Sequence, residues 1–165
     1  MNAAGDSRTV WLLRIIVSVL GVQFLLGIWV NLFGTFPSTD SVATAVMYGG
    51  DPVLSAHYVL AVVILLLATI LLVSTVRLRT PPRLRWLVLG GWLSVLWALS
   101  AGVEFILSGF RNNADSFSMA FAFIVAMTFY GLAQAVTLRP GPEPANREVA
   151  SPGGIRDGSQ APGRG

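Results

Sequence analysis

The sequence predicts an all-α protein, a transmembrane four-helix bundle with a disordered C-terminal tail. Three observations carry that prediction. Of 165 residues, 54% are hydrophobic and 12% charged, against about a quarter charged in an ordinary soluble domain. The apolar residues gather into four long blocks, each near the roughly 20 residues that cross a hydrocarbon core at 1.5 Å rise per residue. The arginines fall in alternate connections between those blocks, which is the pattern that orients helices in a membrane.

The first block spans residues 12–33, with Arg8 before it and Arg14 just inside. A long cationic side chain at that depth extends back to the headgroups. Trp11 and Trp29 suit the two interfaces, where an amphipathic ring is favoured. The block exceeds the roughly 7–15 apolar residues of a cleaved signal peptide and stops well before the small-residue stretch Ala43-Thr44-Ala45, so a retained span is expected.

The next connection, 34–53, has no basic residue and closes on Asp51-Pro52. Asp is a good helix cap, and Pro suits the first helical position because its missing N–H would be unpaired there anyway. The second block is therefore placed at 54–76. "RLRTPPRLR" then puts Arg77, Arg79, Arg83 and Arg85 ahead of a third block at 86–108. Trp86 and Trp92 are expected to act as interfacial anchors, and Trp97, deeper, as core packing.

Arg111 is the one basic residue of the short connection before the fourth block, 117–138; Arg139 follows it. The final 27 residues hold five prolines and six glycines and too little apolar surface to fold. Residues 1–11 and 139–165 are thus expected on the cytoplasmic side, with 12–138 in the lipid bilayer.

The net charge of +3 invites a nucleic-acid reading, but the arginines flank apolar blocks, where membrane orientation accounts for them. No nucleic-acid partner is expected. With no cysteine, disulfides and thiolate chemistry are excluded. All eleven basic residues are arginine, amid abundant Ala, Gly, Val and Leu, the usage of a GC-rich bacterial genome, which points to the bacterial plasma membrane. The chain has no glycine-rich phosphate loop, no HExxH, no nucleophile elbow and no second histidine for a metal, so an enzyme is not expected.

His57, the single histidine, lies about one turn below the expected outer boundary. Asn31 closes the first span and Glu104 the third on that same side, giving a polar layer of Asn31, His57 and Glu104. Ionisable groups in lipid are costly and usually face protein or a wet recess, so this layer is the candidate site.

Helical steps from His57 reach Ala61, Ile64, Ala68 and Thr75; steps back from Glu104 reach Ala101, Trp97, Ser94 and Gly90. In the fourth span Met119, Ala122, Ala126, Tyr130 and Ala133 share a face. Small residues let membrane helices approach closely, so these stripes are expected to be helix contacts.

His57 has several readings: a wet interfacial residue, a structural bond to Glu104 joining the second and third helices, a proton- or cation-handling group, or a haem ligand. In the last, Met119 at nearly the same depth completes a His/Met pair for haem. His57 with Glu104 could alternatively relay a proton or hold a cation. A pore should continue inward, yet only Gln23, Ser94, Thr75 and Gln134 lie below, on different helices. The echo of "GVQFLLG" in "GVEFILSG" suggests a duplicated hairpin but sets Gln23 and Glu104 at different depths.

"VQFLLGIWVNLF", "HYVLAVVILLL" and "SMAFAFIVAMTFYG" together resemble a family of small four-span integral membrane proteins of high-GC bacteria, one without an assigned activity. The resemblance covers residues 12–138. The layout is also similar to one half of haem-A-synthase-like proteins, which use histidines on more than one helix where this chain has one, so no catalytic residue is carried over. The expectation is a non-enzymatic structural or accessory subunit, forming a homo-oligomer or joining a larger membrane complex. The alternative is a haem-binding or proton- or solute-handling component.

Overall fold

The computed structural model describes residues 3–36, 41, 43–44 and 51–138; the predicted C-terminal tail and most of the connection before Asp51 lie outside the described residues. The described residues form four long helices: α1 (Ala3–Phe33), α2 (Pro52–Arg77), α3 (Pro82–Leu107) and α4 (Asn113–Leu138). All four are long and apolar enough to cross a membrane, and the chain is a multi-pass membrane protein. They pack in a ring, α1 on α2, α2 on α3, α3 on α4 and α4 back on α1. Sequence neighbours are antiparallel, so the α2–α3 turn with its arginines marks one end of the bundle, and the other two connections mark the far end.

The helices start before the apolar blocks, α1 by nine residues (3 against 12) and the others by two to four, because hydropathy does not set where a helix begins. Asp51 accepts a hydrogen bond from the Val53 N–H at 2.8 Å, with Pro52 in the first helical position, as predicted. Asn112 does the same for α4, accepting from the Ala114 N–H at 3.1 Å, which draws the helix start back from the expected 117.

Both α2 and α3 end in the same reversal. In α2 the Arg79 N–H reaches the Val76 carbonyl and the Thr80 N–H the Thr75 carbonyl; in α3 Gly109 and Phe110 do so to Ile106 and Phe105. This is the Schellman pattern, which needs a left-handed residue just past the helix. Gly109 supplies φ +65° without penalty, whereas Arg79 adopts φ 51° with a side chain. The hydrophobic contact that accompanies the motif is the edge-to-face pair Phe105–Phe110, 5.5 Å between ring centres.

Side-chain polarity is distributed for lipid. Large apolar residues such as Leu25, Val59, Leu66, Trp86 and Phe117 face outward on every helix, while Thr9, Gln23, Thr75 and Ser94 are buried. The tight core occupies the arginine-rich half, where Leu13, Ile16, Ile64, Leu71, Val88 and Tyr130 meet. Tails of lipid are as apolar as leucine, so close fit, and not escape from water, must hold these helices together.

That fit is closest between α3 and α4. A Cβ on Gly91 would stand 2.7 Å from the Tyr130 ring, and one on Gly90 would stand 2.7 Å from Phe129. Two glycines thus form the groove that receives two aromatic rings. The expected α4 face is observed: Ala122, Ala126, Tyr130 and Ala133 are all fully buried, with Met119 partly so. In α2, Ile64, Ala68 and Thr75 are buried as expected, joined by Leu71.

The α3 stripe is corrected. Ser94 and Ala101 are buried, but Trp97 and Glu104 are exposed, and the contact face runs instead through Leu84, Val88, Gly91, Val95 and Phe105. The seat for Tyr130 at Gly91 rotates α3 so that Trp97 lies on the lipid side of the α3–α4 seam, donating to the Ser118 hydroxyl at 3.1 Å. Trp92, expected at an interface, lies between helices and donates to the Thr69 hydroxyl at 3.0 Å. Trp11, Trp29 and Trp86 are exposed, which suits the interfacial role expected of them.

Candidate functional site

Packing in the far half differs from that in the arginine-rich half. Between the four helices lies a cavity of about 370 Å³, walled by Leu20, Ile64, Val95, Ala98, Ala120 and Ala126 among others. It is well above the ~150 Å³ apolar cavity that holds a benzene and falls at the lower end of the roughly 300–1,000 Å³ of small-molecule sites. Apart from His57, no ionisable acid or base lines it beyond the Tyr58 phenol.

Three aromatic rings close the far end. Phe36, just past α1, stacks on Phe110 at 4.9 Å and meets Phe105 edge-on at 5.7 Å. Phe110 holds φ +62°, a conformation non-glycine residues adopt only rarely. The helix-ending reversal of α3 fixes it there, so one backbone motif both terminates the helix and turns a ring over the cavity.

Gln23 and His57, with Asn31, Tyr58 and Ser116, provide the polar part of the wall. The Gln23 amide nitrogen donates to the His57 carbonyl at 3.1 Å and stands 3.3 Å from His57 Nε2. Having two amide protons, Gln23 serves both acceptors when the imidazole is neutral and carries its proton on Nδ1. Gly27, one turn further along α1, makes room for the ring: a Cβ there would lie 3.2 Å from His57 Cε1.

Three buried polar atoms in the wall have no partner among the described residues: Gln23 Oε1, His57 Nδ1 and the Tyr58 hydroxyl. An unsatisfied buried group of this kind costs about 1–3 kcal/mol, which makes such a cluster a place to look for a ligand.

The structure divides the predicted polar layer. Asn31 and His57 both line the cavity. Glu104 is exposed and outside that lining, because the rotation of α3 turns it outward; the hydrogen bonds of His57 go to Gln23 on α1 in place of Glu104 on α3. By sequence position Gln23 lies below the predicted polar layer. Its signal was being the one strongly polar side chain in the interior of the first block, four residues before Gly27.

Met119 does share the cavity with His57. An axial haem ligand needs a nitrogen lone pair aimed at the iron. His57 Nε2 takes the Gln23 amide instead, and the Nδ1–Cε1 edge lies against Gly27. The residues present do not fit a His57/Met119 haem. Nor does a polar track lead inward: Thr75 and Ser94 spend their hydroxyls on carbonyls of their own helices, at 2.8 Å each.

Comparison with known proteins adds no relative: no family model, no curated protein and no solved structure matches this chain.

Proposed function

We propose that this chain is a non-enzymatic protein of the bacterial plasma membrane that holds a small apolar molecule inside its own bundle, as an accessory subunit of a larger membrane complex. The observation that carries this reading is the contrast between the two halves: a close-packed core at the arginine-rich end, and a 370 Å³ apolar cavity under an aromatic cap at the other. Bundles that serve only as struts gain stability by filling such space, since each missing contact forfeits dispersion energy. The engagement of His57 by Gln23 supports a binding role over a catalytic one.

Orientation follows from arginine. Arg77, Arg79, Arg83 and Arg85 on one side, with Arg8 and Arg14 at the same end, support an orientation with both chain ends in the cytoplasm. The cavity then lies in the outer half of the bundle.

The test is retention of a small molecule. Protein purified in mild detergent is extracted, and its apolar contents are compared by mass spectrometry with those of Ala98→Leu, whose larger side chain projects into the cavity. A compound carried at near-stoichiometric level by the wild type and lost in the variant is the expected result; identical extracts, at the level of bulk lipid, would refute it. Co-migration with other subunits in solubilised native membranes tests the accessory role, and migration as a lone chain would remove it.

A further inference from the structure

We infer that the molecule held in the cavity is uncharged and carries a hydroxyl, which docks at the Gln23–His57 pair. This rests on the cavity being a binding site, as proposed above, and specifies what it selects.

The described wall argues against a charged ligand. Among the described lining residues there is no Asp, Glu, Lys or Arg, so an ionic head entering this space would lose its hydration without a counter-ion from them, at high cost in an apolar wall. In the tautomer whose Nε2 accepts from the Gln23 amide, the His57 ring is neutral and supplies no cation.

The head group follows from what the pair leaves over. Gln23 uses both amide protons on His57, which leaves one acceptor, Oε1, and one donor, the Nδ1–H, both buried and both unpartnered. A hydrocarbon satisfies neither. A ketone accepts from Nδ1–H but leaves Oε1 bare. A hydroxyl donates and accepts at once, and so answers both. The Tyr58 hydroxyl, also buried and unpartnered in the same wall, can extend the chain of bonds. All three atoms are covered as the side chains stand; the terminal torsions of Gln and His are broad, so the pair can tilt toward an arriving head.

The experiment uses p-cresol and p-xylene, which differ by a hydroxyl in place of a methyl. Met119 lines the cavity and provides the reporter: full-length protein labelled with ¹³C at its methionine methyl groups, in lipid nanodiscs, is titrated with each compound, and concentrations are referred to the lipid phase. The expected result is saturable movement of the Met119 signal by both, with p-cresol binding at least about tenfold more tightly, the ratio that corresponds to 1.4 kcal/mol. In Gln23→Leu the two should bind alike. Equal affinity in the wild type, as when ordered water already completes the pair, overturns the hydroxyl inference while leaving the cavity reading intact. Absence of any saturable Met119 shift with either compound overturns both. The comparison within the wild type does not depend on the variant folding.

Discussion

Gln23 and His57 meet across α1 and α2 through a single amide group, 3.1 Å from the histidine carbonyl and 3.3 Å from its ring. One side chain thereby ties two helices, fixes the tautomer of the only histidine and shapes the floor of the cavity. Interhelical hydrogen bonds in membranes are worth roughly 0.6 kcal/mol on average and up to about 1.7. A double-mutant cycle of Gln23→Leu and His57→Phe, followed by thermal unfolding in detergent, should return a coupling energy in that range. Coupling indistinguishable from zero would mean that the contact does not hold the helices. Glu104→Gln, at an exposed position, should leave stability unchanged.

Gly91→Ala should destabilise the bundle. The new methyl would fall 2.7 Å from the Tyr130 ring, itself fully buried with nowhere to retreat, and overpacking of this kind costs typically about 1–3 kcal/mol. Gly21→Ala is the control: nothing lies within 4 Å of its added carbon, so the gain in helix propensity, up to about 1 kcal/mol, should appear as a higher midpoint. A melting temperature unmoved by Gly91→Ala would argue against the α3–α4 seam as described.

Filling the cavity should stabilise the protein as it removes binding. Ala98→Leu adds apolar volume to the wall, and the added methylenes gain about 0.8 kcal/mol each where they are fully accommodated. A raised midpoint together with loss of the Met119 response is expected. A lowered midpoint would show that the space is already filled by side chains.

Sidedness can be read directly, because the chain has no cysteine. Arg83 and Arg111 are both exposed, at opposite ends of the bundle. In intact cells a membrane-impermeant maleimide should label Arg111→Cys and spare Arg83→Cys until the membrane is permeabilised. Labelling in the reverse order would invert the proposed orientation.

Trp92→Phe tests the second interhelical tie. It removes the N–H that reaches Thr69 at 3.0 Å while keeping an aromatic ring, so a loss of up to about 1.7 kcal/mol is expected, with Thr69→Val adding little once Trp92 is gone. Full additivity of the two substitutions would disprove the bond.

Much of this architecture could be read from the chain before any packing was known. Backbone polarity cannot face hydrocarbon unpaired, so four apolar blocks had to be four helices, and Asp51-Pro52 announced the start of α2. Small residues at helical spacing disclosed the α4 face, because Ala122, Ala126 and Ala133 have no other use in lipid than close approach. What the sequence could not decide was rotation and partner choice. Glu104 and Gln23 look equally polar in a linear chain, and depth alone favoured Glu104; the insertion of Tyr130 against Gly91 turned α3 and carried Glu104 outward, leaving Gln23 to meet His57. The cavity is likewise a property of four helices at once, since the volume left between them depends on how closely each pair can approach. Composition along one strand of sequence records which solvent a helix prefers, whereas the contacts that distinguish a filled core from a binding site exist only between helices.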